Sequence, residues 1–227
     1  MRRARRFWPS TAEPGAVLRL ERWTSRWRRA TAICWGRRAR VVIDPNDPRG
    51  PLERLEALGW DAGTDPPDPR APRPHGRAEA LRNRWPGVWV AATAACSAGL
   101  GDTRLNMTRR MEVYLAFRGK PGVSYPPFVC RPADETYEHA WEYVWRGHRL
   151  RAVALPGHTP GSAGIFLDGD TFFSGDYLIP GEEVILRLPG GSETDYRAVT
   201  EPILRGLPPG LRICPGHGEP YILTGKE

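Results

Sequence analysis

An α/β sandwich, with two sheets packed together and helices outside them, is the fold class the sequence predicts. Short apolar runs of β character alternate with stretches whose apolar residues recur at helical spacing. Several of those runs stop at tight Pro/Gly turns, as strands do when they end together at one edge of a sheet. At 227 residues the chain is long enough for one domain with a sizeable core.

Taken in order, residues 1–14 read as a basic, poorly ordered arm and 15–227 as a single domain. Runs at 16–20, 31–35 and 39–43 read as short strands. Residues 51–58 carry Leu52, Leu55 and Leu58 at helical spacing, with Pro51 in the first turn, where a missing N–H costs nothing. Residues 61–74 are dense in Pro, Asp and Arg and are excluded as a central strand, because proline lacks the ladder donor. A helix is expected over 77–85, then a strand over 87–92. Residues 103–125 read as a connection with a helix around 107–117. Strands follow at 150–155, 164–167 and 171–173, then a helix over 194–204 with Pro202 near its end, and a last strand at 211–214.

The net charge is +7, and the cationic side chains are nearly all arginine; Lys120 and Lys226 are the only lysines. A positive surface attracts anionic partners and raises their on-rates. Cys34, Cys96, Cys130 and Cys214 are scattered without a Cys-x-x-Cys pair, which argues against a thiolate zinc site and a disulfide scaffold and for reduced thiols in a cytoplasmic protein. The basic start Met1-Arg2-Arg3-Ala4-Arg5-Arg6 is not followed by an apolar stretch of signal-peptide length, and no run of about 18 apolar residues offers a membrane span.

The chemistry concentrates in three turns. Leu155-Pro156-Gly157-His158-Thr159-Pro160-Gly161-Ser162 follows one apolar run. Phe173-Ser174-Gly175-Asp176 ends a second, and Cys214-Pro215-Gly216-His217-Gly218 ends a third. Imidazoles at strand ends can converge on one metal, and Asp176 adds a carboxylate oxygen. The segment from His158 to Asp176 and the Pro-Gly-His-Gly turn resemble the metallo-β-lactamase superfamily, from about Leu18 to Gly218. The glyoxalase II-like hydrolases are the branch most resembled. Leu188-Pro189-Gly190-Gly191-Ser192 and Arg104-Leu105-Asn106-Met107-Thr108 also resemble that branch.

The resemblance implies an αββα sandwich of two mixed sheets and a metal centre built on a His-x-His-x-Asp-His loop. In that centre an activated water attacks a carbonyl or phosphoryl group beside Lewis-acidic metals. Here that loop is degenerate. His75 falls on or beside its last histidine, while the earlier ligand positions fall on Arg70, Pro72 and Pro74. Arginine stays protonated and proline has no side-chain donor atom, so none of the three binds a cation. His75, His158, Asp176 and His217 remain, a set suited to one divalent ion: zinc, with iron or manganese as alternatives, or none. The resemblance gives His158 and Asp176 the catalytic roles and a small anionic or acyl compound, a thioester or a relative of one, as substrate.

Two other readings stand beside a hydrolase. One is a catalytically inactive homologue acting as a binding or regulatory module, motivated by Arg70, Pro72 and Pro74. The other is a nucleic-acid-binding protein, motivated by the basic arm and by Arg22-Trp23-Thr24-Ser25-Arg26-Trp27-Arg28-Arg29, which interleaves cations with aromatic platforms. A hairpin with solvated arginines accounts for the same residues. His139 and His148 read as exposed. Trp85, Trp89, Trp141 and Trp145 read as core or interface aromatics, and Arg109, Arg110, Arg118 and Lys120 as a solvated helix face. The sequence assigns no oligomeric state.

Overall fold

The computed structural model describes residues 19–24, 30–35, 40–43, 77–85, 87–117, 119–145 and 147–225. The expected basic arm at 1–14, the helix at 51–58, the proline-rich segment and His75 lie outside them. Among the described residues, the elements in chain order open with β1 (Arg19–Thr24), β2 (Ala30–Trp35), β3 (Arg40–Ile43) and α1 (Arg77–Arg84). Next come β4 (Ala91–Thr93), α2 (Ala94–Leu100), α3 (Met111–Phe117), β5 (Glu135–Tyr137) and β6 (Ala140–Trp145). Then follow β7 (His148–Ala154), β8 (Ala163–Leu167) and β9 (Thr171–Gly175). The last helix, α4, opens with one α turn (Glu193–Asp195), widens into a π-helical stretch (Tyr196–Thr200) and resumes as Glu201–Arg205. Two strands close the chain, β10 (Arg212–Pro215) and β11 (Tyr221–Ile222).

β1, β2 and β3 form an antiparallel sheet in that order. The larger sheet has the order β11-β10-β9-β8-β7-β6 and is mixed: β9 and β10 run parallel, and every other neighbouring pair is antiparallel. β4 and β5 form a separate parallel pair. Successive side chains of a strand point to opposite faces, so one strand feeds two cores. Phe173 and Cys214 join Trp145, Leu150 and Leu167 on one face, where Val41 and Ile43 of β3 close over them. Their chain neighbours Phe172 and Ile213 join Val153, Leu155 and Tyr177 on the other face, under Tyr196, Ile203 and Leu204 of α4. Sheet on sheet, with a helix outside, is the sandwich expected from the sequence.

Several elements depart from the sequence reading; β5 and β11 were not expected from it. The strand expected over 87–92 shrinks to β4, because Trp85 is buried and Trp89 is 66% exposed, so the apolar pattern there marks a loop crossing the surface. Of the tryptophans expected in a core or an interface, Trp85 and Trp145 lie in the core and Trp89 lies on the surface. α2 was not foreseen: its run of Ala, Ser and Gly carries no bulky periodic residues. It is fixed instead by the Thr93 hydroxyl, which accepts from Cys96 N–H at its start, and by buried Ser97 and Gly99. β6 was likewise missed. It is the outer strand of the large sheet, so its residues alternate little in burial, and its Trp141 and Tyr143 stack on each other at 5.5 Å. His139 is exposed as expected. His148 is not a free turn residue: its Nδ1 lies 2.7 Å from Asp168 Oδ2. Among the described residues Cys96, Cys130 and Cys214 form no disulfide, and Cys96 is half-buried. Among the described residues no helix is long and apolar enough to cross a membrane.

Candidate metal centre

Topology gathers the three turns. β7 is antiparallel to β8, and β8 to β9, so β7 and β9 run the same way; β10 is parallel to β9. The chain therefore leaves all three strands at one edge of the sheet, the edge where α/β sheets hold their ligands. His158 follows the end of β7, Asp176 directly follows β9, and His217 follows β10. Residues far apart in sequence arrive together because their strands share a direction.

Asp176 sits between the two histidines. Its Oδ2 is 3.1 Å from Nε2 of His158, and its Oδ1 is 3.2 Å from Nε2 of His217. The other nitrogen of His158, Nδ1, lies 2.7 Å from the Ile185 carbonyl oxygen. A carbonyl oxygen only accepts, so Nδ1 carries a proton, and Nε2 is the nitrogen that faces Asp176. The His158 ring is 9% exposed and meets Tyr177 edge-on.

Local sequence makes this approach possible. Gly216 N–H donates to the Gly175 carbonyl at 2.6 Å, locking the His217 turn onto the Asp176 turn. A Cβ at position 216 would lie 2.9 Å from that carbonyl and 3.0 Å from Asp176 Oδ1, so only glycine lets the two turns close. Gly157 has φ +136°, and a Cβ there would meet the Cβ of Tyr196. Thr159 and Ser162 tie the loop to itself: Ser162 Oγ accepts from Thr159 N–H at 3.2 Å and is 2.8 Å from Thr159 Oγ1. Beneath the loop, Thr200 Oγ1 donates to the Pro156 carbonyl at 2.5 Å. Thr200 closes the π-helical stretch of α4. Pro202, just beyond it, has no N–H for the Ala198 carbonyl, which accounts for the widened turn.

A family model described as the metallo-beta-lactamase superfamily matches residues 75–217, more than half of the chain. The chain belongs to the metallo-β-lactamase superfamily. Solved structures repeat the fold. The B3 metallo-β-lactamase BLEG-1 is 20% identical with a TM-score of 0.69, over 90% of this chain and 94% of that one. TTHA1623 in a di-iron-bound form is 25% identical with a TM-score of 0.54, over 86% and 90%. ETHE1 from Myxococcus xanthus is 17% identical with a TM-score of 0.59, over 90% and 79%. No curated protein matches the chain.

Metallo-β-lactamase superfamily proteins generally bind divalent metals, and the described residues were tested against that requirement. Two imidazole nitrogens and a carboxylate form an N/O donor set that suits such an ion. Each imidazole lies within ion-pair distance of a different oxygen of Asp176, 3.1 and 3.2 Å. The Ile185 carbonyl holds the His158 tautomer that a ligand needs. By donor chemistry and by orientation the residues fit. Their arrangement is a chain with Asp176 in the middle: among the described residues no three or more His, Cys, Asp or Glu side chains stand ready around one point. His75, Arg70, Pro72 and Pro74 lie outside the described residues. So do the side chains of 22–29.

Sequence reasoning named the three residues that meet and missed two that hold them. Ile185 acts through its backbone, which no side-chain pattern reveals. Tyr177 directly follows Asp176 but reads as an ordinary core aromatic.

Proposed function

We propose that this chain is a metal-dependent hydrolase resembling the glyoxalase II branch. Its substrate class is a thioester or related small acyl compound, and it uses one divalent ion, zinc in the first instance with iron or manganese as alternatives. The observation that carries the reading is the Asp176 carboxylate set between the Nε2 atoms of His158 and His217, with the His158 ring fixed from behind. His158 and His217 hold the ion, and His75 would add a third nitrogen. Asp176 serves as ligand and as the group that orients the attacking water. A bound divalent cation supplies Lewis acidity and lowers the pKa of that water. The branch assignment is supported by the two further segments named above, 104–108 and 188–192; the second of these lies against the His158 loop, with Gly190 beside Pro160. The di-iron-bound form of TTHA1623 supports including iron among the ions tried. Arg109, Arg110 and Lys120 are exposed, a surface suited to an anionic substrate. We also propose that residues 15–227 act as one domain.

The test is turnover of a panel of thioesters and phosphodiesters with added zinc, manganese or iron. Thioester hydrolysis that falls at least about 100-fold in His158→Ala is the expected result, the scale on which losing a ligand-bound catalyst acts. Hydrolysis indifferent to that substitution contradicts the site. A metal-loaded protein inert across the panel favours the binding-module reading, which Arg70, Pro72 and Pro74 motivate.

A further inference from the structure

We infer that Tyr177 is the positioning residue of the centre, coupling Asp176 to His158 through one side chain; the inference rests on the metal-centre reading above. Its backbone and its phenol act on different ligands. The main chain of Tyr177 closes the turn that projects Asp176: Tyr177 N–H donates to the Ser174 carbonyl at 3.3 Å, and Ser174 Oγ donates to the Tyr177 carbonyl at 2.6 Å. The phenol reaches back under the His158 loop. Its oxygen accepts from His158 N–H at 2.9 Å and donates to the Leu155 carbonyl at 2.7 Å. One hydroxyl thus satisfies the backbone on both sides of the Pro156-Gly157 step.

Everything around this phenol is immobilised. Tyr177 is 2% exposed and Leu155 is fully buried. The Tyr177 ring stacks on Tyr196 at 6.1 Å and meets the His158 imidazole edge-on at 6.3 Å. Burial pushes the phenol pKa up and outweighs the opposing effect of the His158 N–H and of the nearby polar groups, so the hydroxyl keeps its proton and remains a donor. Removing the oxygen leaves a buried N–H and a buried C=O without their partner, and the loop must shift to find others. The atom that shift displaces is His158 Nε2. Tyr177 touches no reacting atom and acts through His158 and Asp176 alone, as outer partners of metal ligands do.

The experiment compares Tyr177→Phe with the wild type, in buffer containing sucrose so that the variant stays folded. Zinc affinity is read by chelator competition, and the His158 ring by its Nδ1 proton in ¹⁵N-correlated NMR of the metal-free protein. The expected result is zinc binding weakened about 10- to 100-fold, the range for outer-shell partners, with loss or broadening of the Nδ1 proton signal. Leu167→Ala, a change in the core on the other face of the sheet, provides the control at a comparable drop in Tm; it should leave both readouts in place. Unchanged zinc affinity with an intact Nδ1 signal in Tyr177→Phe overturns the proposal. So does an equal loss in the Leu167→Ala control. Should the wild type bind no zinc, iron or manganese, the metal-centre reading fails by itself, and the NMR comparison still decides whether Tyr177 orients His158.

Discussion

Asp176 does more for the centre than either histidine, because each imidazole meets a different oxygen of it. Replacing it by alanine removes the partner common to both. Metal content after reconstitution is expected to fall below about one tenth of the wild-type value, in line with loss of a primary ligand; retention of a full equivalent would mean that the histidines bind elsewhere. The glycine beside His217 gives a second prediction. Gly216→Ala puts a methyl 2.9 Å from the Gly175 carbonyl, and backbone cannot yield as a flexible side chain can. A loss of about 1–3 kcal/mol is expected in urea unfolding, the usual cost of overpacking, together with a weaker metal affinity. A neutral outcome in both would mean that the two turns are not held together at that point. At this scale the sequence was informative where chemistry sits in side chains, as for His158, Asp176 and His217. It was silent where a backbone carbonyl, Ile185, does the work.

Elements are held to one another by a few buried polar contacts as well as by apolar packing. Arg82, 4% exposed, fastens α1 to the segment before β5: its guanidinium donates to the Arg131 and Pro132 carbonyls and to Asp134 Oδ2. Asp134 Oδ2 also accepts from Val90 N–H, just ahead of β4. Burial pushes the Asp134 pKa up, but the Arg82 and Val90 hydrogen bonds and the charges of Arg82 and Arg131 outweigh it and hold the carboxyl below its ordinary 3.8. A depressed folded-state pKa contributes stability above about pH 3.8, and that contribution is lost as pH falls through the lower folded value. Asp134→Asn leaves the Arg82 charge buried without its partner. At pH 7 it should cost about 2–3 kcal/mol, less than a fully buried pair because Asp134 is one-third exposed. The difference from wild type should narrow as the pH falls below 3.8; a constant difference would assign the cost to packing instead. The inner strands of the large sheet, β7 to β10, were legible because each carries a short run of apolar residues that is buried or half-buried. β6, at the edge, and α2, made of small residues, were not, since neither writes its packing as a periodic apolar pattern.

Among the described residues, two cores share the large sheet. Phe172 lies wholly buried between β8 and α4, its ring 4.4 Å from that of Phe166. Truncation to alanine should cost about 3–5 kcal/mol by thermal or urea unfolding, and a cost below about 1 kcal/mol would mean that α4 does not close that face. The sandwich was readable because alternation of short strands and helices leaves few architectures open. The edge where His158, Asp176 and His217 meet was readable because the three turns that carry them each follow an apolar run. What the sequence did not reveal is how these turns meet, since that depends on strand direction and on close approaches at Gly157 and Gly216. The central claim is that His158, Asp176 and His217 hold a divalent ion, and metal analysis of the full chain purified without a histidine tag tests it most directly. The account predicts about one equivalent of zinc, iron or manganese per chain, as isolated or after reconstitution, in keeping with a single N/O site, and its loss in His217→Ala. No bound metal in the wild type under either condition would contradict it.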